Sequence, residues 1–372
     1  MLGAVRTNNT QAATFSGGPD LKEVLQCSSK MLACCGCSIH CRHRNAFGGE
    51  GPDYSTFGSL GHNCGIGDLK TVTELGNRCN ELGLDTSSAG AVISWAIELY
   101  ERGLLSESRA GRKLRFGDAE LVFDLLTEIA ERRGLGDILA ESSRAISSFG
   151  KESADFLIAA KGLPQSDPID LRFITSFALG EALSSRGADH LRSRPTADVL
   201  GMKPEFSRKI YGVPVDSDPG DYGTKHHLIH YHENFLAVVD SLGICKFGYG
   251  LNGFDGTTYE DFPGLIRLST GLELAEQELE AVGKRICNLE RLINQREGLG
   301  RDHDTLPRRY FDEPIPSGPA KGRRLDREKF GSMISAYYQL RGWNGDGSLP
   351  QGQIEELERL GRVEFETETS YV

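Results

Sequence analysis

Apolar residues recur every three or four positions along most of this chain and almost never alternate, which constrains the fold more than any single motif does. TVTELGNRCNELGLDTSSAGAVISWAIELYERGL reads as two helices with a break at GLDTSS. AELVFDLLTEIAERRG and DILAESSRAISSFG read as two further amphipathic helices, each ended by glycine. GLELAEQELEAVGKRICNLERLINQREGLG carries Leu, Val and Ile on one stripe with Glu, Gln and Arg opposite, and REKFGSMISAYYQLRGW reads as another helix. Strand signals are few and short. The expected fold class is mainly α. A chain of 372 residues is long enough for two such domains, each with its own core. A seam is expected where FGKESADFLIAAKGLPQSDPID turns rich in Pro and Asp, dividing the chain into residues 1–156 and 157–372. RPTADVLGMKPEFSRKIYGVPVDSDPGDYGTKHH reads as a long irregular stretch suited to function or to a partner.

The net charge of -11 argues against nucleic acid or an anionic membrane as the main partner. No run of about 18 apolar residues is present, so no membrane-spanning helix is expected. The opening MLGAVRTNNTQAATFSGG has no basic segment followed by an apolar one, so no secretory signal is read and a cytoplasmic location is expected. The nine cysteines are then expected in a reducing compartment, where ligand or redox roles outweigh disulfides.

Residues 34–41 read CCGCSIHC, and Cys34, Cys37 and Cys41 form C-x2-C-x3-C. Three thiolates on one short loop suit three corners of a [4Fe–4S] cube, whose fourth ligand commonly lies far away in sequence. Cys27, Cys35, Cys64, Cys79, Cys245 and Cys287 are the candidates. Cys79 and Cys287 fall in helical patterns as small buried hydrophobes, and Cys35 is crowded by Cys34. Cys245, in the glycine-rich loop of VVDSLGICKFGYG, is the best fourth ligand. A structural zinc site using His40 is the competing reading, and the absence of a second C-x2-C pair weighs against it.

Several segments together resemble the tungsten-containing aldehyde ferredoxin oxidoreductase family. The cysteine loop is followed by GPDYS at 51–55 and LGHNCGI at 60–66, then NELGLDT from Asn80 to Thr86, RGADH from Arg186 to His190, and DSLGIC from Asp240 to Cys245. RDHDTLPRRYFDEPIPSGPAKG and YYQLRGWNGDG complete the family's order. The resemblance implies the family's two helical domains and a [4Fe–4S] cluster on Cys34, Cys37, Cys41 and Cys245. It also implies a tungsten or molybdenum ion carried by two pyranopterin dithiolenes. Asn80, Gly83, Leu84 and Asp85 would line one pterin, and Asp240, Ile244 and Lys246 the other. Carboxylates in glycine turns accept hydrogen bonds from pterin N–H groups, and Arg186 and Arg192 suit its phosphates. Without the resemblance, Asp85 reads as the N-cap of the helix that follows.

The sequence departs from the family pattern at several places. The family's β-rich N-terminal pterin domain is absent, so a separate or missing companion domain is expected. Ser55 stands where aldehyde-oxidising members carry a glutamate suited to a general base, and Asp53 is the nearest substitute. His62 resembles the benzoyl-CoA reductase branch, although that branch's glutamate is Ser59 here. Glu74 is followed by Asn77 where the family's bridging iron needs Glu-x-x-His. His190 is retained as a proton or hydrogen-bond donor. His226, His227, His230 and His232 map to no family role and read as a solvated helix face. The leading expectation is aldehyde oxidation to carboxylate, coupled to ferredoxin or another iron–sulfur electron-transfer subunit. Low-potential reduction of an aromatic acyl-CoA with His62 as proton donor is one alternative. A non-catalytic iron–sulfur chain is the other.

Overall fold

The computed structural model describes residues 5–15, 17–18, 21–166, 168–196, 198, 201–249 and 258–361. Helices dominate them, as the periodicity predicts, and the sheets are two antiparallel hairpins. One pairs Ser28–Leu32 (β1) with Arg42–Asn45 (β2), and the other pairs Ala159–Ala160 with Leu163–Pro164.

Short polar side chains start the helices. Asp68 accepts the Thr71 N–H at 2.8 Å ahead of α1 (Leu69–Leu82), and Asp85 accepts the Ser88 N–H at 2.7 Å ahead of α2 (Thr86–Glu101). Asp118 does the same for Leu121 ahead of α3 (Ala119–Glu131). The apolar stripes of these three helices meet in one core, with Leu75, Trp95, Leu99, Val122 and Leu126 at its centre and Leu157 as its last member. A second core begins at Ile158 and gathers α4 (Thr175–Leu183), α5 (Lys225–Ser241) and α7 (Arg327–Arg341). The far end of α5 packs through Phe235 and Val239 on Phe262, Ile266 and Leu279, the last from α6 (Glu276–Arg296).

Residues 5–13 join the two cores. Arg6 N–H reaches the Pro168 carbonyl at 2.8 Å, while Asn8 and Asn9 N–H groups reach the His62 and Asn63 carbonyls at 3.2 and 3.1 Å. Asn9 Nδ2 donates to Glu98 Oε2 at 2.6 Å and to the Phe156 carbonyl at 2.8 Å. Arg309, with no exposed side-chain surface, closes on both Glu98 oxygens and on the Asn9 carbonyl.

Four local readings need correction. The helix of AELVFDLLTEIAERRG stops at Glu131, because Arg132 adopts φ +57° and Gly134 opens the next helix. DILAESSRAISSFG is three short turns, broken where Ser142 takes φ +53°. The irregular stretch after Arg194 contains a helix, Pro204–Tyr211, started by a proline whose fixed φ suits the first helical position; Ala197, Val199 and Leu200 of that stretch lie outside the described residues. The histidine run is not a solvated face: His226, His227 and His230 are half-buried, and His232 is buried on α5. Among the described residues no helix is long and apolar enough to cross a membrane.

The Glu98–Arg309 pair sets a stability expectation. Glu98→Ala leaves the buried Arg309 guanidinium with only the partly exposed Glu313 as ion partner and should cost about 3–5 kcal/mol in a denaturant titration. Arg308→Ala, which removes an exposed pair with Asp312, should cost no more than about 1 kcal/mol.

Candidate cofactor site

β1 and β2 are joined by residues 33–41, so CCGCSIHC is the tip of a hairpin. The Cys37 N–H closes a turn on the Cys34 carbonyl at 3.1 Å, and the Ile39 N–H points at Cys37 Sγ at 3.4 Å. Cys34, Cys35 and Cys41 are exposed and Cys37 is partly so. Asn77 Nδ2 donates to the Gly48 carbonyl at 3.1 Å, so the residue standing in place of the bridging histidine anchors the hairpin's base to α1.

GPDYS and LGHNCGI follow as one compact run. Asp53 Oδ1 accepts the Thr56 N–H at 2.7 Å. A wide helical turn, Phe57–Gly61, ends with the His62 N–H on the Phe57 and Gly58 carbonyls. Ser59 Oγ donates to the Ser55 carbonyl at 2.9 Å and to the Thr86 carbonyl at 3.2 Å, and the Thr56 and Thr86 hydroxyls lie 3.1 Å apart. The serine at the branch's glutamate position therefore stitches this run to the NELGLDT loop. The His62 ring lies 4.8 Å from Phe15 and 4.9 Å from Phe57, and neither ring nitrogen has a hydrogen-bond partner among the described residues. Burial pushes its pKa down to about 4, so the ring is neutral at pH 7.

NELGLDT and DSLGIC adopt the same backbone device at the ends of α1 and α5. Gly83 (φ +69°) donates to the Asn80 carbonyl at 3.3 Å and Leu84 to Cys79 at 2.9 Å. Gly243 (φ +67°) donates to Asp240 at 3.1 Å and Ile244 to Val239 at 3.1 Å. These are paired helix-ending turns that only glycine enters without strain. Neither glycine has a heavy atom within 4 Å of where a Cβ would stand, so both turns present bare backbone. Asn80, Gly83 and Asp85 are exposed, and Leu84 is half-buried. Asp85 does cap α2, as its sequence position alone implied, and it caps through Oδ2, leaving Oδ1 outside that bond.

Beside the second turn, four charged groups converge. Asp240 Oδ2 lies 3.0 Å from Lys246 Nζ and 3.3 Å from Arg192 Nη1. Lys246 Nζ also donates to the Leu191 carbonyl at 2.9 Å. Arg192 Nη2 lies 2.6 Å from Glu290 Oε2, and that carboxylate takes the Ser185 hydroxyl at 2.8 Å. Glu290 was not singled out from sequence, where it is one of many charges on a long helix; only the fold shows that it aims Arg192 at Asp240. His190 is buried next to Arg192 in the same turn and stacks on Phe177 at 6.2 Å. Arg186 is exposed and pairs with Asp189.

Among the described residues no three His, Cys, Asp or Glu side chains converge in ligating geometry, so the four expected thiols are not gathered on one centre. Their chemistry nonetheless suits a cluster. The loop thiols are uncovered, a backbone N–H already addresses one sulfur, and no carboxylate lies between Ser28 and Asn45 to oppose thiolates. By contrast, burial pushes the thiol pKa of Cys64 and Cys79 up to about 12 and that of Cys287 to about 11, which keeps them protonated. The open faces of the two glycine turns likewise suit a flat ring.

The family model described as aldehyde ferredoxin oxidoreductase, domains 2 and 3, matches residues 1–359. The chain belongs to the aldehyde ferredoxin oxidoreductase family. It is 35% identical over 343 residues to the tungsten-containing aldehyde ferredoxin oxidoreductase of Pyrococcus furiosus, covering 89% of this chain and 52% of that protein. The Thermococcus kodakarensis protein of the same name is 33% identical over 342 residues, with the same coverage. An aliphatic sulfonate oxidoreductase WOR-like subunit of Pyrococcus furiosus is 29% identical over 335 residues, covering 87% of this chain and 47% of that one. The chain thus spans about half the length of the curated relatives it matches. The fold is also that of a chain in the active-site complex BamBC of benzoyl coenzyme A reductase with 1,5-dienoyl-CoA. The TM-score is 0.76 at 20% identity, over 96% of this chain and 58% of that one.

The α5 histidines set an acid limit. His232 Nε2 lies 3.0 Å from the Tyr211 hydroxyl, and burial pushes its pKa from 6.5 down to about 4. The unfolded chain therefore binds the extra proton first, and stability falls as pH drops from 6.5 toward 4. His232→Gln should flatten that limb by up to about 3 kcal/mol, read by urea titration across the acid range.

Proposed function

We infer that this chain is a catalytic portion of a tungsten–pterin iron–sulfur oxidoreductase that oxidises aldehydes to carboxylates and hands electrons to a ferredoxin-type acceptor. The observation that carries the reading is the family match over residues 1–359, within which NELGLDT and DSLGIC each end a long helix in a bare glycine turn beside exposed polar groups. These two motif turns suit two pterins. Asn80, Gly83, Leu84 and Asp85 hold one ring, with Asp85 Oδ1 as the acceptor for ring N–H groups. Asp240, Ile244 and Lys246 hold the other, with Arg192 and Arg186 toward phosphate. Cys34, Cys37, Cys41 and Cys245 hold the [4Fe–4S] cluster. On this reading residues 1–156 form one helical domain and 157–372 the other, and a separate pterin-binding domain completes the site.

The tungsten–pterin group supplies two-electron exchange with the substrate, and the cluster supplies one-electron transfer. The overall change is RCHO plus water to RCOO⁻, three protons and two electrons. Asp53 Oδ2, the oxygen not engaged in capping, accepts a proton from water. His190, buried beside the second turn, donates a hydrogen bond to the substrate oxygen. A second reading is favoured by His62 alone: an imidazole with both nitrogens unpartnered between two phenyl rings suits proton relay to an aromatic acyl-CoA, taking up a proton at one nitrogen as it gives one from the other.

Metal analysis of the protein purified anaerobically from its own cells tests the assignment. About four irons and one tungsten per chain are expected, the load of one cube and one mononuclear centre. Cys37→Ser and Cys245→Ser should lose iron, while Cys79→Ser and Cys287→Ser keep it. Zinc alone would sink the cluster. Reduction of benzoyl-CoA lost in His62→Ala, with no aldehyde oxidation in the parent, would install the second reading.

A further inference from the structure

In a chain of net charge -11, the segment from Ser28 to Asn45 contains Lys30, Arg42 and Arg44 and neither Asp nor Glu. The strand register gathers these cations. Lys30 stands directly opposite Arg44, and Leu32 opposite Arg42, so all three cations share one face of the hairpin. Like charges directly opposite each other destabilise a strand pair. Arg42 is paired with Glu50, but Lys30 and Arg44 have no ion-pair partner among the described residues, and both are exposed. Exposed apolar side chains stand at its margins, Ile39 in the cysteine loop and Phe47 just past β2, while Met31 is exposed on the hairpin's other face. A basic patch with an apolar rim is the complement of an acidic protein surface, and such charge both steers encounter and fixes orientation. The loop this face supports is CCGCSIHC.

We propose that the basic face of the β1–β2 hairpin is the docking surface for a small acidic protein that carries one electron at a time. The proposal rests on the reading that CCGCSIHC holds an iron–sulfur cluster. Each encounter moves one electron from the hairpin's tip to one oxidised carrier, so two carriers are reduced for each aldehyde oxidised. Lys30 and Arg44 tolerate their mutual repulsion in the free chain because the carrier's carboxylates relieve it in the complex.

The test uses the anaerobically purified holoenzyme and its Lys30→Glu/Arg44→Glu and Lys30→Gln/Arg44→Gln variants. An acidic two-cluster ferredoxin is the probe and a basic cytochrome c the control. Binding is measured by calorimetry at low and high salt, and iron and tungsten per chain are measured for each protein. The expected result is a ferredoxin Kd raised about ten-fold or more by the reversal and less by the neutral variant. Salt should weaken the parent complex and not the reversed one. Metal content and turnover with benzyl viologen should stay at parent levels, and the reversed variant should gain affinity for cytochrome c. Unchanged ferredoxin binding in a reversed variant that keeps its iron overturns the docking surface and leaves the cluster standing. A parent without iron overturns the cluster reading and the electron port with it. Loss of tungsten from either variant makes this face a seat for the rest of the enzyme and overturns the proposal.

Discussion

A carboxylate and a guanidinium shut away from water, Glu98 and Arg309, determine how the rest of the molecule can be arranged. Glu98 projects from the last turn of α2 in the first core, and Arg309 lies in the segment that precedes α7 in the second. A charge in that position is tolerable only when its partner is present and its remaining hydrogen-bonding groups are filled. Asn9, Arg102 and Glu313 fill them: the Asn9 side-chain amide donates to one Glu98 oxygen and its carbonyl takes an Arg309 N–H, while Arg102 donates to the other Glu98 oxygen and Glu313 takes the Arg309 Nε–H. The pair thus holds residues 5–13 in the seam, and the backbone of Asn8 and Asn9 in turn fixes the turn that carries His62 and Asn63. A second buried pair, Asp170 with Arg172, repeats the arrangement, since Arg172 also donates to the Thr10 carbonyl at 2.8 Å.

The cofactor-facing groups hang from this frame by shorter tethers. Thr86 binds the GPDYS run to the first glycine turn through two serine and threonine hydroxyls. At the second turn Arg192 forks between Asp240 and Glu290, so the exposed aspartate is held by a guanidinium whose other side is fixed to α6. Lys246, the residue after Cys245, ties that loop to the turn of His190 through the Leu191 carbonyl. Electrostatics therefore orient the second turn, whereas neutral hydrogen bonds orient the first.

Much of this was legible in the sequence, for reasons that differ from place to place. The helices of residues 69–101 were legible because their caps are Asp and Gly, residues whose local chemistry leaves little choice. The same logic failed at Arg132 and Ser142, which take left-handed conformations without glycine, because the packing of short helices overrode propensity. The cysteine loop and the two glycine turns stood out by spacing. Glu290, Asn77 and the Lys30–Arg44 register did not, because their partners lie on other elements or depend on which residues face each other across a hairpin. The histidine run read as solvent-facing because histidine is polar; α5 proves to be a central helix of the second core, with neighbours on most sides.

The threading of residues 5–13 has a consequence for the order in which the protein can mature during synthesis. The contacts that seal Asn9 come from residues 89 and 300 positions further along the chain. The three-helix core can condense as soon as its own helices emerge, but the strap of residues 5–13 cannot complete its seal until Arg309 has left the ribosome. A nascent chain halted before that point would hold Glu98 through Arg102 as its only ion partner and leave the strap of residues 5–13 without its closing contact. That combination is a natural handle for quality control.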